Sequence, residues 1–501
     1  VYEPLAPATC GTCGLGKPNC TDPASFVCED IEVLGLSGAE VNCDSTSADS
    51  TFVFLDKTFT GPSPDGSRDA PFVTLADALA AASKPGRAAT TVVIAGSPVY
   101  TDPLVLPDGV SIRGGYTATD DTGAFTGVWR RDLSRRPIWN VPASAVADHA
   151  LVGLRAAHIH RTTIVADVTV VTQPIAPAST DTGATNIGVL ALDAPGLRLF
   201  DVTVTAGAGQ DGAKGATGAV GPNGPNVAGK DGDVNLATNT APNFGGQVGA
   251  HNSLCDSART QGGDSGGESG GVGHAGSAAP GGAAGGTGSS VAGAPGAAVS
   301  TVGATGNAGV SSVSVDPVTG VFTVTGTGDT GGTGDPGWGG GGGYSDVKYI
   351  GNSIWWYALG GAGGAGGCGG LGGLGGLPGG WSIGVLAVSS PGLVIRGGAI
   401  TASDGGNGGA GGDGGPGGGG GRGGNGANNA NGTNPPDVTS SAGGKGSAGG
   451  QGGPGGVGAG GSSIGVYCSA TTVSPDQTVL KVGKAGGGGT GKRAVATFGC
   501  G

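Results

Sequence analysis

The sequence predicts an all-β chain built as a solenoid, with glycine-rich insertions leaving it from one corner. Three observations lead there. Short β-rich runs closed by turn residues follow one another through residues 90–205. A strand–turn–strand motif beginning Ile-Gly-Val recurs at widely separated positions. Glycine is unevenly spread: of 117 in the chain, 18 lie in residues 1–200 and 99 in residues 201–501, which sets a compositional boundary near residue 205.

The 501 residues carry 24 basic and 36 acidic side chains, for a net charge of −12, and no Lys/Arg-rich run. Nucleic acid and anionic membrane both demand a basic footprint, so neither is expected as a partner. No stretch approaches the roughly 18–20 apolar residues of a membrane helix, and no membrane insertion is expected. Nothing at the N-terminus has the pattern of a signal peptide. A chain that opens at Val1 and contains no Met is expected to be a processed form.

Residues 1–49 form a Cys-rich segment with Cys10, Cys13, Cys20, Cys28 and Cys43, while Cys468 and Cys500 bracket the other end. Zinc is the competing reading of the Cys10-x-x-Cys13 spacing, but no His stands near it and the later spacings are irregular. These seven cysteines are therefore the disulfide candidates, and an oxidising, extracytoplasmic compartment follows. Nine cysteines is an odd number, so at least one thiol stays free or pairs between chains. The stretch Asn42–Asp49 resembles a remnant of a calcium loop yet lacks the Gly and terminal Glu of an EF-hand. Ca²⁺ is thus only a weak expectation, and no other cofactor or metal is expected.

Residues 50–205 form the next unit. Ala76–Ala82 reads as one short helix closed by Pro85-Gly86. Strands are expected over 91–96, 104–109 and 110–116, the last ending in Gly114-Gly115-Tyr116. The succession of a Pro71-Phe72-x-Thr74-Leu75 helix, an apolar strand, the turn Pro107-Asp108-Gly109-Val110, then Gly-Gly-Tyr and Trp129-Arg130-Arg131, resembles the N-terminal part of secreted bacterial pectin-lyase-like proteins. That resemblance implies a right-handed parallel β-helix and says little about activity.

The repeat points to stacked rungs independently. Asn186-Ile187-Gly188-Val189 with its Pro195-Gly196-Leu197 turn returns at Ser382-Ile383-Gly384-Val385 with Pro391-Gly392-Leu393, and more weakly at Ile464-Gly465-Val466. Likewise Asp167-Val168-Thr169-Val170 matches Asp201-Val202-Thr203-Val204. A rung needs only about 20–30 residues, whereas Ile187 and Ile383 are 196 apart. The excess must be inserted. It departs after residues 204–207 and 400–403 and returns just before each Ile-Gly-Val, giving insertions at 206–380 and 405–462 around a rung at 381–404, with a final rung and disulfide-stapled end at 463–501.

The insertions carry a period of three. Gly209, Gly212, Gly215, Gly218, Gly221 and Gly224 are strict, and residues 360–377 are six Gly-Gly-X triplets with X as Ala362, Ala365, Cys368, Leu371, Leu374 and Leu377. Three is the period of polyproline II, a helix that makes no hydrogen bonds with itself and must find them elsewhere. Glycine on two of three edges lets neighbouring backbones approach. Collagen shares the period, but these tracts are short, poor in Pro and broken by turns such as 428–436, which would set 405–426 and 443–461 antiparallel. In repeat style they resemble the polyproline-II bundles of springtail antifreeze proteins and of phage tail-fibre adhesin tips. Because X recurs on one edge, Ala362 to Leu377 are expected to form an apolar, buried ridge. Asn407, Asp413, Arg422 and Asn425 are expected to form a polar, wet one.

Catalytic groupings are hard to find. Asp120-Asp121 sits in a turn without the partner residues of a lyase or hydrolase. His158 and His160 share one strand face, a spacing that suits metal, but two outward-facing histidines are the simpler reading. The aromatic cluster Trp338, Tyr344, Tyr349, Trp355, Trp356 and Tyr357 is the candidate contact surface, with a wedge between bundle and solenoid as the competing role. The expectation is a non-enzymatic extracellular structural or adhesive protein that self-associates head to tail or binds surface glycan or protein. A polysaccharide-degrading enzyme and an ice-binding protein are the alternatives.

Overall fold

A computed structural model describes residues 18–19, 27–28, 52–84, 90–120, 122–177, 181–225, 231–238, 247–255, 257–266, 273–276, 291–350, 354–429 and 438–500. It is nearly all β, and its main body consists of three sheets whose successive strands are parallel, with Phe125–Arg131 added antiparallel to Val110–Thr119 in the second. The first runs Leu104–Leu106, Ala150–Ala157, Thr185–Leu192, Ser382–Val388, Ser463–Ser469, Ala494–Phe498. The second runs Phe52–Leu55, Thr90–Ala95, Val110–Thr119, Thr163–Ala166, Leu197–Phe200, Val394–Arg396, and the third Val99–Tyr100, Ile138–Val141, Thr169–Thr172, Thr203–Ala206, Ala399–Ala402, Val479–Val482. From Ala150 to Ala402 the chain visits first, second and third sheet in that order on every pass. Helix Leu75–Ala82 begins at Thr74, whose hydroxyl accepts from the Asp77 amide as an N-cap, and buries Ala78 and Ala82 against the core.

The repeated motifs are neighbours in register. Ile187 pairs with Ile383 and Ile383 with Ile464; Val170 pairs with Val204 and Val204 with Ile400. Like residues therefore stack in columns that fill the space between the sheets: Leu154, Val189, Val385 and Val466 from the first, Val165, Leu199 and Ile395 from the second, Val170, Val204 and Ile400 from the third. Each fully buried aliphatic side chain there is worth about 1.5–3 kcal/mol. The glycine of Ile-Gly-Val is needed where first and third sheets meet, since a Cβ on Gly188 would lie 2.3 Å from Val204 Cγ1. Corners between first and second sheet are turned by one left-handed residue per pass, His158, Asp193 and Ser389, and Ala470 follows Ser463–Ser469 in the same conformation, all with φ between 47° and 58°.

The other face of the first sheet is covered too, which explains why its strands read as unbroken apolar runs. A hairpin from the first insertion, Ser312–Val315 with Phe322–Thr325, lays Phe322 and Val324 onto Ile187, Leu190, Ile383, Leu386 and Trp381.

The rest of the described insertions is largely a bundle of extended arms. We label them a (207–225), b (293–309), c (326–343), d (359–380), e (404–426) and f (441–461). None pairs as a long β-strand; each is joined to its neighbours by main-chain bonds that recur every third residue. Arm d is the axis. Its Cys368, Leu371, Leu374 and Leu377 amides donate to arm a, and its Gly364, Gly367, Gly370, Gly373 and Gly376 amides donate to arm f. Arm c amides Gly328 to Gly340 and arm e amides Gly406 to Gly424 donate back to arm d carbonyls. Arms e and f are antiparallel, from Gly443–Gly424 to Gly461–Gly406. Arm spacing leaves no room for a side chain: a Cβ on Gly370, Gly373 or Gly376 would lie 1.9–2.1 Å from a carbonyl oxygen of arm e. Helix is excluded here by composition, and β pairing by the need to bond several neighbours around each axis.

Both insertions leave the sheets after paired strands of the third sheet, Thr203–Ala206 and Ala399–Ala402, and re-enter at paired strands of the first, Ser382–Val388 and Ser463–Ser469. Arms a and e thus start side by side and stay in parallel register, Gly212 on Asn407 through Gly224 on Gly419.

Candidate functional site

The surfaces able to contact another molecule are set by which X residues face outward. On arm e, Asn407, Ala410, Asp413, Pro416, Gly419, Arg422 and Asn425 are all exposed. Several polar groups on this face complete the lattice. Asp211, Asn223 and Asp231 side chains accept from the outward amides of Asn407, Gly419 and Asn425, and Asn407 Oδ1 accepts from Gly487. Lys214 bridges arms a and e at 2.8 Å from Asp413, and its hydrogen bond and charge hold the Asp413 carboxyl below the usual carboxylate range.

The apolar ridge of arm d divides in two. Ala362 and Ala365 are fully buried and Cys368 is 3% exposed, whereas Leu371 and Leu374 are half exposed at 50% and 51%. This corrects the expectation of one buried ridge from Ala362 to Leu377. Residues 249–255 and 257–263 cover only the first half: Gly363 donates to Gly263, Gly366 donates to Thr260, and Cys255 is joined to Cys368. X is small where this further segment packs and large where leucine alone shields the glycine backbone.

The Cys255–Cys368 disulfide was not among the sequence expectations, which placed Cys368 in the ridge and gave Cys255 no role. Its only signal is that Cys368 interrupts an Ala-to-Leu series. Cys468–Cys500 joins two of the expected cysteines, tying the first sheet to the C-terminal end. Cys10, Cys13, Cys20 and Cys43 lie outside the described residues, as does the Asn42–Asp49 stretch. For Cys28 only the backbone, in strand Val27–Cys28, is described.

Of the aromatic cluster, Trp355, Trp356 and Tyr357 lie on Ile354–Ala358, the central strand of an antiparallel sheet with Val234–Thr238 and Asp346–Ile350. Tyr357 is only 3% exposed, and Trp356 packs on Ala358, Ala427 and Val438, at the end of the bundle remote from the insertion roots. Trp338, on arm c, is half-buried under the Arg259 guanidinium, 4.4 Å from its ring. Tyr344 is half-buried, and its amide donates to Ser441 Oγ. Tyr349 belongs to strand Asp346–Ile350, opposite Trp355; the side chains of both lie outside the described residues. Of the side chains described, Trp338 thus lies on arm c and Tyr344 just beyond it, while Trp356 and Tyr357 lie on the antiparallel sheet.

On the three-sheet body, His158, His160 and Asp193 converge. His158 Nδ1 is 3.0 Å and His160 Nε2 3.4 Å from the same Asp193 Oδ2. Asp120, by contrast, is occupied as a turn residue. Its Oδ1 accepts from the Thr122 hydroxyl and from the Ala124 and Thr122 amides, which lowers its pKa. An open cleft of about 220 Å³ beside Asp56, Lys57, Thr119 and Arg135 is smaller than the roughly 300–1,000 Å³ of ordinary small-molecule sites. Among the described residues no helix is long and apolar enough to cross a membrane.

Compared with protein-family models, curated proteins and solved structures, the chain matches none of them.

Proposed function

We propose that the three circulating sheets are coils of a right-handed parallel β-helix, that the arms are polyproline-II rods, and that the whole is a non-enzymatic, extracytoplasmic structural or adhesive component of a bacterial surface. The observation that carries this is the outer face of arm e. Its backbone is bonded internally at every turn, so the side chains of six of its seven X positions, all but Gly419, stand outward on a frame held by its neighbours. At about 3.1 Å per residue they repeat every 9 Å or so, a spacing suited to an extended glycan or a protein surface. Two disulfides support an oxidising compartment.

Head-to-tail assembly is part of the proposal. Strands at the two ends of the sheets carry exposed valines, Val99 and Val105 at one and Val479 and Val482 at the other. Edge strands in this state invite pairing unless covered. Electron microscopy of the purified protein tests assembly: end-to-end filaments are expected, and monomers at all concentrations would refute it. Binding of labelled protein to a glycan and cell-surface panel tests adhesion, with loss of binding in an Arg422→Ala/Asn425→Ala variant as the expected result.

A further inference from the structure

We propose that His158, His160 and Asp193 form a binding site for one divalent transition-metal ion of the Zn²⁺, Ni²⁺ or Cu²⁺ class, on the corner between the first and second sheets. The three residues come from successive passes of the chain. Ala157 pairs with Leu192, so the next residue of each pass, His158 and Asp193, sits on the same corner, both in the left-handed region at φ 57° and 48°. His160 follows two residues later, with Ile159 between them fully buried in the core. Burying Ile159 turns both flanking rings outward on one side.

The backbone beneath these side chains is fixed from every direction. His158 N donates to Leu192 O at 2.9 Å, Ile159 N to Asp193 O at 3.1 Å, and Gly196 N to Ile159 O at 2.8 Å. The amides of His160 and Arg161 both donate to Asp108 Oδ1, at 2.9 and 2.8 Å. Arg161 is held to Asp108 at 3.0 Å, which leaves Asp193 to the two rings. A ligand set hung on a rigid frame is what tight metal binding requires.

The distances suit an ion. Metal–ligand bonds of about 2.0–2.1 Å place neighbouring donors roughly 3.0 Å apart at a right angle and 3.4 Å apart at a tetrahedral one. The observed separations to Asp193 Oδ2 are 3.0 and 3.4 Å, and all three donors lie within 4.8 Å of one another. Two imidazoles and one carboxylate select the borderline cations over Ca²⁺ or Mg²⁺, which prefer all-oxygen sets. Side-chain exposures of 62%, 59% and 40% leave the remaining coordination positions open to water or to a donor from another molecule.

The test uses the full chain with free thiols alkylated, so that imidazole and carboxylate are the available donors. Titration calorimetry with ZnCl₂ should show one saturable site, weakened at least about tenfold in His158→Ala, His160→Ala and Asp193→Asn, each with an unchanged unfolding midpoint. Electron paramagnetic resonance of the Cu²⁺-loaded wild type should show two coordinated imidazole nitrogens, and one in His158→Ala. Absence of saturable Zn²⁺ binding, equal binding by the variants, or a Cu²⁺ spectrum without two imidazoles would each overturn the proposal.

Discussion

Replacing Gly373 by Ala should dismantle the bundle around arm d. The new Cβ would stand 2.1 Å from Gly412 O, and an unstrained carbon–oxygen contact is about 3.3 Å, so arms d and e would have to part by about 1.2 Å. Three bonds between these arms lie nearby: Gly409 to Leu377, Gly412 to Leu374 and Gly415 to Leu371, each 2.8 Å. Stretched to about 4 Å they would no longer be hydrogen bonds. A broken bond that leaves its buried group unpaired costs about 1–3 kcal/mol, so the three together give a loss of roughly 3–9 kcal/mol. Lower unfolded-state entropy for Ala returns at most about 1 kcal/mol. Thermal unfolding of Gly373→Ala should therefore show a large fall in midpoint or no folded bundle. The exposed-position control Ala410→Ser should stay within about 0.5 kcal/mol of wild type. Wild-type stability in Gly373→Ala would refute the close packing of the arms.

Core and ridge should differ in the same assay. Ile400→Ala, fully buried in a column with Val204, should cost about 2–5 kcal/mol, and Leu371→Ala, half exposed, less than about 1 kcal/mol; equal effects would contradict the assigned faces. Cys255–Cys368 spans 113 residues and Cys468–Cys500 spans 32, so loop entropy makes the first the larger stabiliser by about 1 kcal/mol. Unfolding of Cys368→Ser and Cys500→Ser should rank accordingly, and the reverse order would count against that account. Tyr100, buried against Trp139 and near the Asp56 carboxylate, has its phenol pushed well up, and burial raises Tyr467 as well. Absorbance titration should show these two phenols ionising above the ordinary tyrosine range. Because the unfolded chain releases their protons first, their contribution is intact below about pH 10 and is lost as pH rises through their folded values. Tyr100→Phe should therefore resist alkali better than wild type, and an alkaline transition that Tyr100→Phe leaves unmoved would contradict the burial.

The three-sheet body was legible because stacked strands repeat their side chains. Ile187, Ile383 and Ile464 share a motif for the physical reason that they share a column. The 196-residue gap between the first two did not hide this, since an insertion that leaves and returns at one corner does not disturb register. Period three announced the arms, and the exposed X residues of arm e matched their polarity. Less could be read where a property depends on which arm lies beside which. Leu371 and Leu374 look like core residues in one dimension; their half-exposure depends on where the cover from residues 249–255 and 257–263 stops. Cys255 finds Cys368 only once the bundle has formed. His158 and His160 were visible as a pair, but Asp193 joins them through a strand register that no shared motif marks. For the N-terminal cysteines, the sequence arithmetic now narrows. Removing two bridges leaves five, all within residues 1–43, so the odd thiol belongs to that segment.

Amide hydrogen exchange across arms a, c, d, e and f bears most directly on the whole account. If main-chain groups of these glycine tracts bond one another, the amides of Gly364, Gly367, Gly370, Gly373 and Gly376 on the axial arm should exchange as slowly as those of Thr185–Leu192 in the first sheet. Exchange in those tracts at the rate of an unstructured peptide, with the sheets still protected, would contradict it.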